Sequence, residues 1–259
     1  MRRHRRDSDP RFRLVTGSRI RGAAPVPRNV FAPLATEVCT DLSLGRAPEE
    51  EVRRHLGYPA HAVPKGRIAA RMKVVAEAAA EVLQPRGVYA VYAVNTRTPR
   101  RIEVGAATIR GDVVRFVGAV DRIAVVVATA GAGISELSER YGRDGDSLAA
   151  WIADAIGSWA AEAAADAVTD RVSAYAGPGE AVTLRYSPGY CGMEISQQRV
   201  LFGLVDAEAA GITLLPSMLM QPLKSVSGIV GLGPMAGPGA VVPASPCDTC
   251  GRIDCHMRR

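Results

Sequence analysis

The sequence is poor in aromatic residues, which make up 5% of its 259 residues, and it lacks an apolar run of the roughly 18 residues that a membrane span needs. Its most apolar stretch, residues 123–130, has only the length of a strand. The N-terminus has no apolar segment of the kind that defines a secretory signal. These absences argue against a membrane or secreted protein. We expect a cytoplasmic protein, whose 47% of hydrophobic residues can form a sizeable core.

Acidic residues are scarce at the N-terminus, where the positive charge of the chain is concentrated. Residues 1–28 contain nine arginines and two aspartates, a formal charge of +7, whereas the whole chain carries +6. An arginine-rich segment without apolar periodicity is typical of disorder, so we predict a disordered basic tail at 1–28. A nucleic-acid-binding arm is the alternative. The near-neutral remainder and the few aromatics argue against nucleic acid as a partner.

Hydrophobic periodicity predicts an α+β domain over residues 29–235. Long helices are predicted at 66–83 and from Asp146 or Ser147 to about residue 175, and buried strands at 88–94 and 123–128. Shorter helices are predicted at 48–56, 134–141 and 195–204, and shorter strands at 101–109, 113–117, 182–186, 211–215 and 223–230. From Gly231 onward a loop is predicted. Because strands and helices mix without strict βαβ alternation, we predict a largely antiparallel twisted sheet with long helices packed on it.

The longest predicted helix carries an apolar stripe that we expect to be buried. Its members, three or four residues apart, are Leu148, Trp151, Ile152, Ala155 and Trp159. The next turn carries Glu162 within a run of alanines. A glutamate in that place is either part of a solvated helix face or a functional group.

Three segments in the C-terminal half carry the strongest functional signal. Arg185-Tyr186-Ser187-Pro188-Gly189-Tyr190 follows a predicted strand. Met220-Gln221-Pro222 leads to Ser225-Val226-Ser227-Gly228, and Glu162 precedes both segments. In this order, these residues resemble the S-adenosylmethionine-binding surface of the activation domain of cobalamin-dependent methionine synthase.

The resemblance implies a methionine synthase activation domain-like fold and a binding site for S-adenosylmethionine. Arg185 would pair with the carboxylate of that ligand, and Glu162 would receive its ammonium. Backbone groups around Ser187 and Gly189 would bond the adenine or ribose, and Tyr190 would turn its ring toward the cationic methylsulfonium. The alternatives are a surface ion pair for Arg185 and a buried corner tyrosine for Tyr190. The resemblance also implies a corrinoid-facing loop formed by Ser225, Val226, Ser227 and Gly228.

Two positions depart from the family pattern. After Tyr190 the family has a segment that ends in histidine, whereas this chain continues Cys191-Gly192-Met193-Glu194. After Gly228 the family has two aromatic residues, whereas Ile229 and Val230 stand here.

The function implied by the resemblance is to support reductive methylation, and so reactivation, of a cobalamin held elsewhere. The chain has no Asp-x-His-x-x-Gly segment of the kind that binds cobalamin, so the corrinoid would come on a partner, either methionine synthase or a related corrinoid methyltransferase of methionine biosynthesis. Flavodoxin or ferredoxin would supply the electron, and no membrane partner is expected. The second hypothesis is a non-catalytic, metal-stapled module that binds S-adenosylmethionine or corrinoid as a sensor or chaperone.

Cysteine is rare in the chain, and three of its five cysteines lie within nine residues near the C-terminus. Cys247, Cys250 and Cys255 follow a Gly/Pro-rich loop, and the Cys-x2-Cys spacing suits a single metal. We therefore predict a metal-binding tail at 236–259. Cys191 is the first candidate for a fourth ligand and His256 the second. The spacing leaves zinc, an iron–sulfur cluster and unligated reduced thiols open.

Overall fold

The main elements follow the apolar runs of the sequence. The structure, a computed structural model, describes residues 32–59, 61–190 and 192–234. Its strands are β1 (Ala35–Cys39), β2 (Arg86–Ala93), β3 (Thr96–Thr98), β4 (Arg101–Val104), β5 (Ala107–Arg110), β6 (Arg122–Thr129), β7 (Glu180–Val182), β8 (Thr213–Leu214), β9 (Met220–Gln221) and β10 (Ser225–Pro234). Its α-helices are α1 (Glu49–His55), α2 (Gly66–Val82), α3 (Val113–Val117), α4 (Gly133–Arg143), α5 (Ser147–Tyr175) and α6 (Gln198–Leu204), with 3-10 turns at Ile195–Gln197 and Ala207–Ala210.

Five strands form the main sheet in the order β1-β2-β6-β10-β7, and every neighbouring pair is antiparallel. Valine and alanine fill β2 and β6, and β6 is buried from Ile123 to Thr129. Successive side chains of a strand point to opposite faces of the sheet. Because β6 is buried at successive positions, both faces of this sheet are covered. The predicted α+β class with a largely antiparallel sheet is confirmed.

The 29-residue helix α5 covers one face of the sheet. Ala164, Val168 and Val172 pack there against alternate residues of β2, β6 and β10, among them Tyr89 and Val230. Gly87 lets the helix lie close to β2, because a Cβ at this position would be 2.5 Å from Val168 Cγ2. Helices α1, α2 and α4 pack against the first half of α5 and form a second core there.

The opposite face of the sheet is covered by shorter pieces. Tyr186, α3, α6 and the three-stranded sheet β3-β4-β5 surround the cluster that contains Val88, Val125 and Ile229. Tyr186 is buried and stacks on Phe116, with ring centroids 4.7 Å apart. The segment that begins at Arg185 is thereby fixed between this cluster and α5.

Several local predictions are wrong. The strand predicted at 101–109 is broken by Gly105, whose φ of 56° makes the turn between β4 and β5. The strand predicted at 113–117 is helix α3, in which the spacing of four places Val113 and Val117 on one buried face. Beyond Gly231 the chain continues as β10 to Pro234 rather than as a loop, because Leu232 pairs with Val182.

The apolar stripe of α5 also differs from the prediction at one position. Trp151 is 54% exposed, whereas Ile152, Ala155 and Trp159 are buried as expected. Each helical residue turns about 100°, so a stripe that passes through Ala149 and Ala153 places Trp151 on the other side. In the described part of the chain, no helix combines the length and apolarity that crossing a membrane requires.

Candidate functional site

Arg185 meets two carboxylates of α5 beside the main sheet. Its Nη2 lies 2.5 Å from Glu162 Oε2, and its Nη1 lies 2.9 Å from Asp166 Oδ1. The Arg185 side chain is only 11% exposed, while those of Glu162 and Asp166 are 48% and 69% exposed. The ion pair considered for Arg185 is therefore present, but its guanidinium is largely buried and the carboxylates open to solvent.

Gly228 brings the two motif segments into contact. A Cβ at this position would lie 2.6 Å from Arg185 Cγ and 2.8 Å from Ser187 Oγ, so only glycine allows these side chains to cross the strand here. Val226, Gly228 and Val230 are alternate residues of β10 and therefore share one face of the sheet. The two valines pack on the side covered by α5, so Gly228 faces α5 as well. Arg185 and Ser187, which lie 43 and 41 positions before Gly228 in the chain, thus converge with Gly228 and Glu162 at one place.

The segment after Ser187 turns tightly, and Gly189 and Tyr190 are exposed in it. The Gly189 N–H donates to Met193 O at 2.8 Å, and the Met193 N–H donates to Tyr190 O at 2.9 Å. Gly189 has a φ of 88°, in the left-handed region that favours glycine. Tyr190 is 67% exposed, so its interpretation as a buried corner tyrosine is wrong; Tyr186 is the buried tyrosine of this segment.

The segment predicted as a corrinoid-facing loop is a strand. Ser225, Val226, Ser227 and Gly228 open β10 and pair with residues 126–129 of β6. The description of this segment as a loop is therefore wrong, because its backbone pairs with β6 along its whole length. Ser227 is buried and accepts a hydrogen bond from Gln198 Nε2 at 3.3 Å.

The start of β10 is tied to α5 by Lys224. Its Nζ donates to Ser158 Oγ at 2.9 Å and pairs with Asp154 at 2.7 Å. Ser225 Oγ donates to Pro222 O at 2.6 Å. These bonds position the strand end beside the Arg185 cluster, and the sequence alone carried no signal for them.

Ile229 and Val230, which replace the two aromatics of the family, are fully buried in the sheet. They pack on opposite faces of β10, in the clusters on the two sides of the main sheet. Their side chains therefore serve packing and cannot contact a ligand at the surface.

The predicted metal ligands Cys191, Cys247, Cys250 and Cys255 all lie outside the described residues, as do the tails at 1–28 and 236–259. Within 32–59, 61–190 and 192–234, no group of three or more histidine, cysteine or acidic side chains is arranged to hold a metal. Cys39 is a free thiol in the core, and burial raises its pKa to about 11.

Asp166 is the site residue that sequence reasoning missed. It lies four residues after Glu162, so both fall on the same face of α5. That spacing is a signal that could have identified it, once Glu162 was singled out.

Comparison with known proteins points to one family. The family model described as "Vitamin B12 dependent methionine synthase, activation domain" matches residues 97–237. The chain is also similar to a crystal structure of the MetH reactivation domain bound to AdoHcy, with a TM-score of 0.57 and 18% sequence identity over 81% of this chain and 82% of that chain. At this identity the structural match shows a shared fold. No curated protein matches the sequence.

Proposed function

The chain belongs to the family of vitamin B12-dependent methionine synthase activation domains, and on that premise we propose that it binds S-adenosylmethionine and supports reductive methylation of a corrinoid held by a partner. In this reaction one electron reduces Co(II) to Co(I). The cobalt lone pair then attacks the sulfonium methyl carbon, and the carbon–sulfur bond breaks. The products are methyl-Co(III) and S-adenosylhomocysteine.

The observation that carries the proposal is the convergence of Glu162, Arg185, Ser187 and Gly228 at one place beside α5. These residues come from the three segments that resemble the family. A protein promotes methyl transfer mainly by holding donor and acceptor in line, so a preformed site for the donor is what the reaction requires. The structural relative bound to AdoHcy, the demethylated donor, supports the same ligand class.

The charges of the cluster suit the donor. Glu162 and Asp166 with Arg185 carry a formal charge of −1, which favours a ligand with an ammonium and a sulfonium. Arg185 has five N–H donors and uses two of them on these carboxylates, so the others can donate hydrogen bonds to the ligand carboxylate. Glu162 would receive the ammonium, because its carboxylate is both close to Arg185 and open to solvent.

The exposed loop completes the proposed site. The Ser187 hydroxyl lies over Gly228 and would bond the ribose or adenine. The Gly189 N–H is engaged within the loop, so Gly189 would contribute its carbonyl oxygen. Tyr190 is exposed, and its ring would contact the sulfonium methyl. Of the segment Ser225 to Gly228, only the strand end at Ser225 would approach the corrinoid.

The corrinoid would be carried by methionine synthase or a related methyltransferase, and flavodoxin or ferredoxin would deliver the electron. Such partners would place the protein in the cytoplasm, which cell fractionation would check. The alternative is a non-catalytic sensor or chaperone for S-adenosylmethionine or corrinoid. That alternative is favoured if the ligand binds tightly and yet no corrinoid partner becomes methylated.

Calorimetry with S-adenosylmethionine tests the donor site. Arg185→Ala should weaken binding by about 2–5 kcal/mol, the typical loss when one partner of a largely desolvated charge pair is removed. Arg143→Ala is the matched control, because Arg143 is exposed at the end of α4 and away from the site. Equal affinity in the wild type and Arg185→Ala would refute the assignment.

We also propose that Cys191, Cys247, Cys250 and Cys255 hold one zinc ion or iron–sulfur cluster that ties the tail to the domain. Replacing any of them by serine should lower the metal content and increase proteolysis of residues 236–259. Cys39→Ala is the control, because Cys39 is buried in the sheet and should not affect the metal. If Cys191→Ser keeps its metal while Cys250→Ser loses it, the fourth ligand is elsewhere and His256 is the next candidate.

A further inference from the structure

A cleft of about 310 Å³ lies between the β4–β5 hairpin and the segment that begins α6. Its polar lining consists of Arg100, Arg101, Arg110, Thr98, Gln197 and Glu194. These side chains carry a formal charge of +2. The proposed donor site uses none of them.

The cleft is built by two loops that pack closely through glycine. A Cβ at Gly111 would lie 3.0 Å from Met193 Cα, and one at Gly192 would lie 3.2 Å from Asp112 Oδ2. Gln197 Oε1 accepts a hydrogen bond from the Arg110 N–H at 2.8 Å, which fastens the start of the α6 segment to β5. These glycine contacts and this hydrogen bond hold the two walls of the cleft in fixed positions.

The positive charge of the cleft is concentrated on one pair of strands. Arg101 and Arg110 are directly opposite in the β4–β5 register, and like charges in this arrangement destabilise a sheet. Arg101 Nη2 lies 3.6 Å from Glu103 Oε1, and Arg100 Nε lies 3.7 Å from Asp112 Oδ1. Among the described residues, no carboxylate is paired with the Arg110 guanidinium. A bound anion would neutralise the charge of the Arg110 guanidinium.

The cleft and the Arg185 cluster lie on opposite faces of the main sheet. Arg185 points toward α5, whereas the next residue, Tyr186, points into the core of the other face. The Tyr186 hydroxyl lies near Gly111 at the cleft, 3.0 Å from where a Cβ would be. A ligand in the cleft would therefore be separate from the donor.

We propose that this cleft binds a phosphate group, either as inorganic phosphate or as the phosphate of a nucleoside monophosphate. Guanidinium groups bind phosphate oxygens through paired hydrogen bonds. Because Gln197 Oε1 already accepts from the backbone, its amide N–H₂ can donate to the anion together with the Thr98 hydroxyl. A volume of this size is at the lower end for small-ligand pockets, which begin at about 300 Å³.

Calorimetry at low ionic strength, with inorganic phosphate and with adenosine 5′-monophosphate, tests the site. Arg110→Gln should weaken phosphate binding by roughly tenfold, which corresponds to about 1.4 kcal/mol. Arg143→Gln, which changes the charge equally, should leave it unchanged. Tighter binding of the nucleotide would identify an organic phosphate as the ligand, and equal binding would identify inorganic phosphate.

Two results would overturn the proposal. One is an absence of phosphate binding, or binding that Arg110→Gln leaves intact. The other is a lower melting temperature of Arg110→Gln in phosphate-free buffer, because removing one of two opposed arginines should not destabilise a sheet. Affinity for S-adenosylmethionine should be the same in Arg110→Gln and the wild type, so this proposal and the donor site can fail independently.

Discussion

At the scale of single residues, the candidate site depends on a missing side chain. Arg185 can lie across β10 only because position 228 has no Cβ. Its guanidinium then reaches Glu162 and Asp166, which hold it in one orientation before any ligand arrives. A preorganised arginine loses less conformational freedom when it binds a carboxylate.

Gly228→Ala tests this dependence. The new methyl group would overlap Arg185 Cγ, so the arginine must move away from the carboxylates of α5. We expect weaker binding of S-adenosylmethionine by calorimetry and a loss of about 1–3 kcal/mol in the free energy of unfolding from overpacking.

Gly142→Ala is the control for Gly228→Ala. A Cβ at Gly142 would lie 4.0 Å from the Ala150 Cβ, an ordinary contact, and alanine in a helix should add about 0.5–1 kcal/mol of stability. A Gly228→Ala protein that binds the donor as tightly as the wild type would show that Gly228 does not position Arg185.

At the scale of elements, α5 supports both the sheet and the site. It supplies Glu162 and Asp166, and its start is fixed by Asp146, whose carboxylate accepts from the Ala149 N–H at 2.9 Å and pairs with Arg71. The hydrogen bond from Ala149 and the pair with Arg71 hold the pKa of Asp146 below its usual 3.8. A carboxylate with a lowered pKa stabilises the fold above its unfolded pKa and loses this effect as the pH falls through the folded value.

Asp146→Ala should therefore lower the urea midpoint at neutral pH, and the difference from the wild type should shrink below the usual pKa of 3.8. Asp146→Asn keeps a capping oxygen but loses the charge, so its midpoint at neutral pH should lie between the two. A difference between Asp146→Ala and the wild type that does not change on acidification would contradict this role.

The elements also show what the sequence could predict. Long apolar periods fixed the placement of α2, α5, β2 and β6 to within a few residues. Among the short elements, the helices predicted at 48–56 and 134–141 match α1 and α4, whereas β1 was missed and α3 was predicted as a strand, because tertiary contacts decide their structure. β1 is an edge strand with Glu37 in its middle, and three of the five residues of α3 are valines, which a strand would also accept.

The candidate site could be predicted only in part, because its geometry also depends on tertiary contacts. Arg185, Glu162 and Gly228 were identified from family-like motifs, but their contacts depend on how β10 lies against α5. Asp166 belongs to no motif, and the contact of Lys224 with Asp154 exists only once α5 packs beside β10. Sequence patterns thus located the segments, whereas side-chain geometry required the folded sheet.

At the scale of the whole molecule, the described domain offers two separate charged surfaces on opposite sides of one sheet. The net-negative cluster at Arg185 suits a cationic methyl donor, and the arginine cleft suits an anion. The resemblance to the family, identified from residues 162–228, is confirmed by the family match over 97–237. A chain of this kind should act in trans on a corrinoid protein.

The most direct test of the account is methylation of a separate corrinoid protein. The chain would be mixed without oxygen with Co(II) methionine synthase, a low-potential reductant and S-adenosylmethionine, and methyl-cobalt absorbance would be followed. The wild type and a chain lacking residues 1–28 should accelerate its appearance equally, while Arg185→Ala and Glu162→Gln should slow it. The same rate with Arg185→Ala as with the wild type, or no acceleration by a wild-type chain that binds the donor, would contradict the proposed function.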